Sequence, residues 1–320
     1  MKILELFSGI GGFAKGFRNA GYKFSEHYFS EIDKHAIANY KYNFPNAKYI
    51  GSVESLSRRD ITGVDIITFG SPCQDFSLAG NRKGLKGEKS SLISHAIRLV
   101  TELRPSLFIW ENVKGTFSSN AGADYWAIIQ ALTHIGGYRL EWQLLNTKWV
   151  LPQNRERIYL IGHLDGRSSP RVFPIGEGNE ICNQSREAQK KLHENSCAST
   201  LTAKGQGGNL TGTFIEVGTW RTFKDGNGFR KLKEVICPTI PARERTDASG
   251  CPVIKSDSKI RMFTEIECER LQGFPDDWTK FGNYDGEIRE ISRTQRYKLI
   301  GNAVTVKVVE EIARKINLKF

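Results

Sequence analysis

Cys73 lies in the stretch "DIITFGSPCQDFSLAG" (65–80), where an apolar run stops at Gly70 and gives way to Ser71, Pro72, Cys73 and Gln74. A thiol just past a rigid proline, with polar neighbours, has the setting of a nucleophile; a buried structural cysteine is the plain alternative. With a free-thiol pKa of about 8.5, few such groups are ionised at neutrality, so attack requires nearby donors or activation by the substrate. Two further positions could supply charge. Glu111 closes the apolar run "SLFIWEN" (106–112) in the segment "WENV", where Trp110 and Val113 would partly desolvate its carboxyl group, a condition that suits a general acid. A hydrogen-bonded structural glutamate is the other reading. In "QNRERIYLIG" (153–162), two-residue spacing puts Arg155 and Arg157 on one strand face, where guanidinium groups can hold an anion or a developing oxyanion as well as water or carboxylates.

A second group of residues has the marks of a ligand cradle. Glycines at 9, 11 and 12 in "LFSGIGGF" (6–13) let the backbone turn tightly and approach a ligand at a helix N-terminus. The spacing is not GxGxxG, so a dinucleotide phosphate site is not supported. Glu31 follows at the next strand end, where an acidic residue hydrogen-bonds ribose hydroxyls, unless it is simply a solvated carboxylate. The basic stretch "NRKGLKGEK" (81–89) reads either as a surface loop or as a lid that closes on phosphates.

These residues need strand ends to carry them. Strand-like runs at 2–7, 24–33, 64–70, 106–112, 141–146 and 157–163 alternate with helical stretches, one ending at Gly21, one starting at His35, one showing Leu92, Ala96, Leu99 and Leu103, and one over about 125–135. Such alternation predicts a doubly wound, mainly parallel α/β sheet, which binds ligands at the carboxyl ends of its strands. From residue 179 the rhythm gives way to a Gly-, Thr- and Asn-rich region, expected to be a separate, loop-rich domain. Within it "CASTLTAK" (197–204) and "CPTIPARE" (237–244) repeat Cys, Thr, an aliphatic residue, Ala and a basic residue in the same order, as two paired strand-and-loop elements would. The run "AVTVKVVEEIARKI" (303–316) has helical periodicity and should return to the first core.

Composition narrows the classes. With 39% hydrophobic residues over 320, the chain can bury a substantial core. The opening "MKILELFSG" is too short an apolar run for a signal peptide, and no stretch approaches the roughly 18 apolar residues of a membrane span. A soluble, cytoplasmic protein is expected. Six cysteines without a CxxC pair and six histidines without HExxH argue against a zinc site, and the thiols should be free in a reducing compartment. The formal charge of +11 suits a polyanionic partner, but it is diffuse: residues 201–300 hold 17 Lys and Arg against 14 Asp and Glu.

Taken in order, the segments resemble the cytosine-C5 DNA methyltransferase family. "LELFSGIGGF" resembles its cofactor loop, "SEIDKHA" the ribose segment, "GSPCQDFS" the Pro-Cys-Gln nucleophile motif, "WENV" the Glu-Asn-Val motif and "QNRERIYLIG" the Gln-x-Arg-x-Arg motif. "RLQGFPDDW" (270–278) matches the motif supporting the recognition domain, and "GNAVTVKVVE" (301–310) the closing helix. The resemblance implies a Rossmann-like, S-adenosylmethionine-dependent methyltransferase core over 1–178 and 296–320, with a target-recognition domain over 179–295. It implies that Cys73 adds to C6 of a flipped cytosine, that Glu111 meets N3 and the exocyclic amine, and that Arg157 with Arg155 holds O2 and the catalytic loop. It places the cofactor, which leaves as S-adenosylhomocysteine, on Phe7, Gly9, Gly12, Glu31, Ile32, Pro72, Leu92, Asn302 and Val304, with no metal.

The implied partner is double-stranded DNA, read in the major groove by the small domain, with the protein monomeric and a companion restriction endonuclease possible. Ser52 in "GSV" stands where the family has Asp against the adenine amine, which implies a weaker contact there. Three rivals fit less well. The RNA-methylating branch would carry a Cys-Phe-Thr segment; a non-catalytic DNA-binding homologue would not need Cys73, Glu111 and Arg157, and a chain opening on its first strand leaves no room for an added module; amino-group methylation would replace Pro72-Cys73-Gln74 by a Pro-Pro-aromatic motif.

Overall fold

The computed structural model describes residues 1–59, 61, 63–71, 92–118, 122–165, 171–176, 216–223, 226–232, 236–242, 252–256 and 259–316. Its centre is a seven-stranded sheet. In chain order the first elements are β1 (Lys2–Leu6), α1 (Gly12–Asn19), β2 (Glu26–Ser30), α2 (Lys34–Asn43), β3 (Lys48–Tyr49), β4 (Ile66–Gly70), α3 (Leu92–Leu103), β5 (Leu107–Val113), α4 (Ala123–His134), β6 (Tyr138–Asn146), β7 (Gln153–Asn154) and β8 (Glu156–Leu164). The strand order is β3-β2-β1-β4-β5-β8-β6. Strands β3, β2, β1, β4 and β5 run parallel, and β8 runs antiparallel to both β5 and β6, so the expected mainly parallel sheet carries one reversed strand.

Period-two alternation sorts the strand residues onto two helical layers. Leu4, Leu6, Ile67, Phe69, Phe108, Trp110, Ile158 and Leu160 pack with Ile93, Ala96, Leu99 and Val100 of α3 and with Tyr125, Ile128 and Leu132 of α4. Ile3, Ile66, Leu107, Ile109, Tyr159 and Ile161 point the other way, onto Phe13 and Phe17 of α1 and the last helix. Full burial of each such side chain stabilises by about 1.5–3 kcal/mol, which explains why the central strands read as unbroken apolar runs.

After the first sheet come β9 (Glu216–Phe223), β10 (Gly226–Lys231), β11 (Cys237–Pro238), β12 (Pro252–Ser256) and β13 (Lys259–Met262), then α5 (Glu265–Leu271), the hairpin strands β14 (Phe281–Tyr284) and β15 (Glu287–Glu290), α6 (Arg293–Asn302) and α7 (Val306–Lys315). Four of these form an antiparallel sheet ordered β10-β9-β12-β13, regular structure that the Gly- and Thr-rich composition hides. Helix α5 begins with a capping box: the Thr264 side chain accepts from the Glu267 N–H and the Glu267 carboxylate accepts from the Thr264 N–H. The same carboxylate takes both terminal nitrogens of Arg261 at 2.8 Å, joining β13 to α5.

The expected helix over 303–316 starts later, at Val306, because Ala303 is extended and Thr305 is the residue before the helix. Helix α7 then completes the second layer, with Val308, Val309, Ile312 and Ala313 against α1 and the sheet. At the sheet edge, Glu141 and Gln143 of β6 hold the segment 171–175: Glu141 accepts from the N–H of Val172 (2.9 Å) and Phe173 (3.2 Å), and Gln143 exchanges two bonds with Ile175. Among the described residues no helix is long and apolar enough to cross a membrane.

Candidate active site

Parallel registry brings the candidate residues to one rim. Leu6 pairs with Ser30 and with Phe69, and Gly70 pairs with Glu111, so Phe7, Glu31 and Ser71 leave the sheet at neighbouring strand ends, beside Glu111 and Asn112 near the end of β5. This is where a doubly wound sheet has room for ligands.

Glu111 is 8% exposed and its Oε1 lies 3.1 Å from Nε of Arg157, which β8 presents two residues from Glu111's own register partner across the antiparallel β5–β8 pair. The carboxyl group is therefore buried, as its apolar neighbours imply, and also faces a guanidinium. Removing one member of such a pair leaves an uncompensated buried charge, at a cost of about 3–5 kcal/mol. On the β4 side, a Cβ at Gly70 would stand 3.1 Å from Glu111 Oε2, so the lack of a side chain lets the carboxylate lie against the backbone. Below it is Tyr159, its register partner, 1% exposed. Burial first, and the Glu111 charge second, push the Tyr159 phenol well above its ordinary value, so it stays neutral.

The opposite face of β5 anchors the next strand end. Ser71 Oγ accepts from Trp110 Nε1 and from Asn112 Nδ2, each at 3.1 Å. Asn112 Oδ1 in turn accepts from the Val113 N–H at 2.7 Å and from Thr116 Oγ1 at 3.2 Å. Ser71 is thus fixed immediately before the Pro72-Cys73 pair. Pro72, Cys73 and the basic loop at 81–89 lie outside the described residues.

Arg155 departs from the expected pairing of two guanidiniums on a base. It is 3% exposed and donates to the carbonyls of Gly301 (3.3 Å) and Ala303 (2.9 Å), while its N–H donates to Asn146 Oδ1 (3.2 Å). Arg155 lies between β7 and β8 and Arg157 on β8, so the expected shared strand face is not formed, and only Arg157 is paired with Glu111. Arg155 instead holds the turn that carries Asn302 and precedes Val304.

That turn meets the glycine loop. A Cβ at Gly12 would stand 2.6 Å from the Val304 carbonyl oxygen, so only glycine lets α1 begin there. Glu31 crosses from β2: its Oε2 accepts from the Gly9 N–H at 2.8 Å, and its Oε1 accepts from the N–H of Ile32 (2.8 Å) and Asp33 (3.1 Å). A carboxylate has about four acceptor sites, so one remains on Oε2. Beside it Ile32 is 73% exposed, and the buried Ser8 hydroxyl has no partner among the described residues. Phe7 and Leu92 pack half-buried on the same apolar cluster, Val304 packs on the other, and Asn302 is exposed at the end of α6. A spare carboxylate acceptor for hydroxyl groups, an uncovered aliphatic side chain and an unpartnered hydroxyl fit an adenosyl ligand.

Three contributors were not singled out by chemical type. Asn112 and Ser71 form one unit across two strands; Trp278 donates its indole N–H to the Ile10 carbonyl inside the glycine loop at 3.1 Å. The signal for Asn112 is the alternation itself, which must turn it away from Glu111. Among the described residues, no three His, Cys, Asp or Glu side chains gather as metal ligands would.

An α/β core with its cradle and its paired Glu and Arg at the rim formed by the carboxyl ends of the parallel strands is the architecture of a group-transfer enzyme that binds an adenosyl cofactor. The chain belongs to the C-5 cytosine-specific DNA methylase family, which it matches over residues 1–318. It is 32% identical to the Type II methyltransferase M.Bsp6I of Bacillus sp. (strain RFL6), over 99% of this chain and 98% of that protein. It is 30% identical to the Type II methyltransferase M.NlaX of Neisseria lactamica, over 98% and 96% of the two chains. Among solved structures, S. pombe Dnmt2 methyltransferase superposes with a TM-score of 0.66 at 20% identity, covering 97% of this chain and 96% of that one, a likeness of fold.

Proposed function

We propose that this enzyme methylates C5 of a cytosine at a specific site in double-stranded DNA, with Cys73, Glu111 and Arg157 as catalytic residues and Arg155 as a positioning residue. The observation that carries the reading is the Glu111–Arg157 pair set against Gly70, the strand end that leads through Ser71 to Cys73. Membership of the family implies S-adenosylmethionine, which when bound supplies an electrophilic methyl group. Phe7, Gly9, Gly12, Glu31, Ile32, Pro72, Leu92, Asn302 and Val304 would hold it.

Cytosine C5 is a weak nucleophile until a thiolate adds at C6. In this reading Cys73 forms the S–C6 bond, and the electrons displaced from the C5–C6 double bond make C5 reactive. Glu111 meets N3 and the exocyclic amine and controls the proton there, while Arg157 stabilises charge at O2 and holds Glu111 in place. After methylation, loss of the C5 proton to water re-forms the double bond and expels Cys73. A base inside a duplex cannot reach these groups, so the cytosine must be flipped out, at a cost of a few kcal/mol that pocket contacts and the basic loop at 81–89 offset.

Recognition falls to residues 179–295, where β9 and β10 contain most of "WRTFKDGNGFRK" (220–231). Two further Gly- and Thr-containing stretches that would suit base contacts, "KGQGGNLTG" (204–212) and most of "ARERTDASG" (242–250), lie outside the described residues. The part from Thr264 to Ile291 serves the first lobe too, since Asn39 of α2 donates to the carbonyls of Trp278 (2.8 Å) and Phe281 (2.9 Å). The relatives named Type II methyltransferases support a restriction-modification setting; in this reading the enzyme acts as a monomer. Bisulfite sequencing of DNA from cells expressing the protein tests the reading: C5 methylation confined to one short sequence is expected, absent with Cys73→Ser. Methylation retained by that variant would overturn the nucleophile assignment.

A further inference from the structure

The glycine loop and the Glu31 turn are held from within by backbone donors: the Ser8 N–H on the Ser30 carbonyl, the Gly11 N–H on the Ser8 carbonyl and the Gly9 N–H on Glu31. Phe7, Gly9 and Gly11 all have positive φ, at 52°, 53° and 82°, so the path is strained at Phe7 and depends on glycine at 9 and 11. What holds it on its outer side comes from the far end of the chain. Trp278 donates its indole N–H to the Ile10 carbonyl at 3.1 Å, and Ile10 is wholly buried in a cluster with Phe274, Ile291, Leu299 and Val306 against which Trp278 packs. Asn39 and Asn43 of α2 in turn donate to the Trp278 carbonyl, at 2.8 and 3.0 Å.

A second brace acts on the carboxylate side. The Asp33 N–H donates to Glu31 Oε1, and Asp33 Oδ1 caps α2 by accepting from the N–H of His35 (2.9 Å) and Ala36 (3.2 Å). The remaining Asp33 oxygen, Oδ2, lies 2.5 Å from Lys298 Nζ. Lys298 is on α6, the helix that ends in Asn302. A single ammonium therefore ties the Glu31 turn to the helix bearing the opposite wall of the cradle.

We propose that Trp278 and Lys298 are positioning residues for the adenosyl cofactor, fixing the glycine loop and the Glu31 turn so that the ligand meets a cradle already in its binding shape. The proposal rests on the methyltransferase reading above and adds to it that cofactor affinity is set partly by the segment between the recognition sheet and the last helix. Preorganisation of this kind strengthens binding without any contact to the ligand.

The test is calorimetric titration of S-adenosylhomocysteine into the full-length protein and into Trp278→Phe, which keeps an aromatic ring and removes the N–H, Lys298→Met and Lys298→Arg. Lys41→Met, which breaks a different ion pair, from α2 to Asp285 of the β14–β15 hairpin, serves as control. Trp278→Phe and Lys298→Met should each raise the dissociation constant about threefold to tenfold, the range of one hydrogen bond or a partly exposed pair. Lys298→Arg and Lys41→Met should stay within about twofold of the parent, and ligand-free melting temperatures should change little. The Michaelis constant for S-adenosylmethionine should rise in step while kcat at saturation holds. Parent-like affinity in both Trp278→Phe and Lys298→Met would overturn the proposal. A parent protein that binds no S-adenosylhomocysteine would instead bring down the methyltransferase reading on which it rests.

Discussion

Glu111 and Arg157 show how much a residue's chemistry depends on what faces it. The sequence places a carboxylate at a strand end and two arginines two residues apart, and those types survive in the structure. Their division of labour does not follow from spacing, because it depends on which element lies opposite: β5 faces Arg157, whereas the turn at 301–303 faces Arg155. Glu111→Gln should slow methyl transfer by about a hundredfold or more, the usual share of a general acid, while S-adenosylhomocysteine still binds. Single-turnover rates and calorimetry check this, and equal loss of both would make the residue structural. Asn112→Ala removes the bridge between Ser71 and the N–H of Val113 and leaves buried polar groups unpaired, so urea unfolding should report a loss of about 1–3 kcal/mol. Its turnover should fall as well, since Cys73 is two residues past Ser71.

At the scale of elements, the α/β alternation was legible because each central strand is a short apolar run and each helix carries a buried stripe. The antiparallel recognition sheet was not, since Gly, Thr and charged residues in β9 and β10 mask its period. Nor could local pattern reveal that Trp278 and Lys298 reach partners 268 and 265 residues away. The β6 edge provides a separate test. Buried His163 Nε2 lies 2.5 Å from Glu141 Oε1, and burial, which alone would raise the Glu141 pKa, is outweighed by the bonds from His163 and the N–H groups of Val172 and Phe173. A carboxylate with a lowered folded-state pKa stabilises the fold above its ordinary value of 4.5, and that stability is lost as pH falls through the folded value. Glu141→Gln should therefore melt lower than the parent at neutral pH, with the gap closing on acidification below about pH 4. A constant gap would show that the charge contributes nothing.

For the whole molecule, the core, the cradle and the catalytic strand end form one framework to which the C-terminal segment returns. Helix α7 completes the second layer and Trp278 and Lys298 reach the glycine loop and the Glu31 turn, so the last third of the chain contributes to the fold and, in the proposed reading, to cofactor binding. The diffuse positive charge of +11 is consistent with a polyanionic substrate contacted over a broad surface. The proposed function turns on covalent catalysis by Cys73 on cytosine. The most direct measurement offers the protein a duplex carrying 5-fluorocytosine at the target position together with S-adenosylmethionine, then looks for a product stable to SDS. Fluorine at C5 cannot leave as a proton does, so Cys73 should remain bonded to C6 and the protein should migrate with the DNA. The Cys73→Ser protein should give no such species; its absence with the parent protein, or its persistence with the variant, would contradict the account.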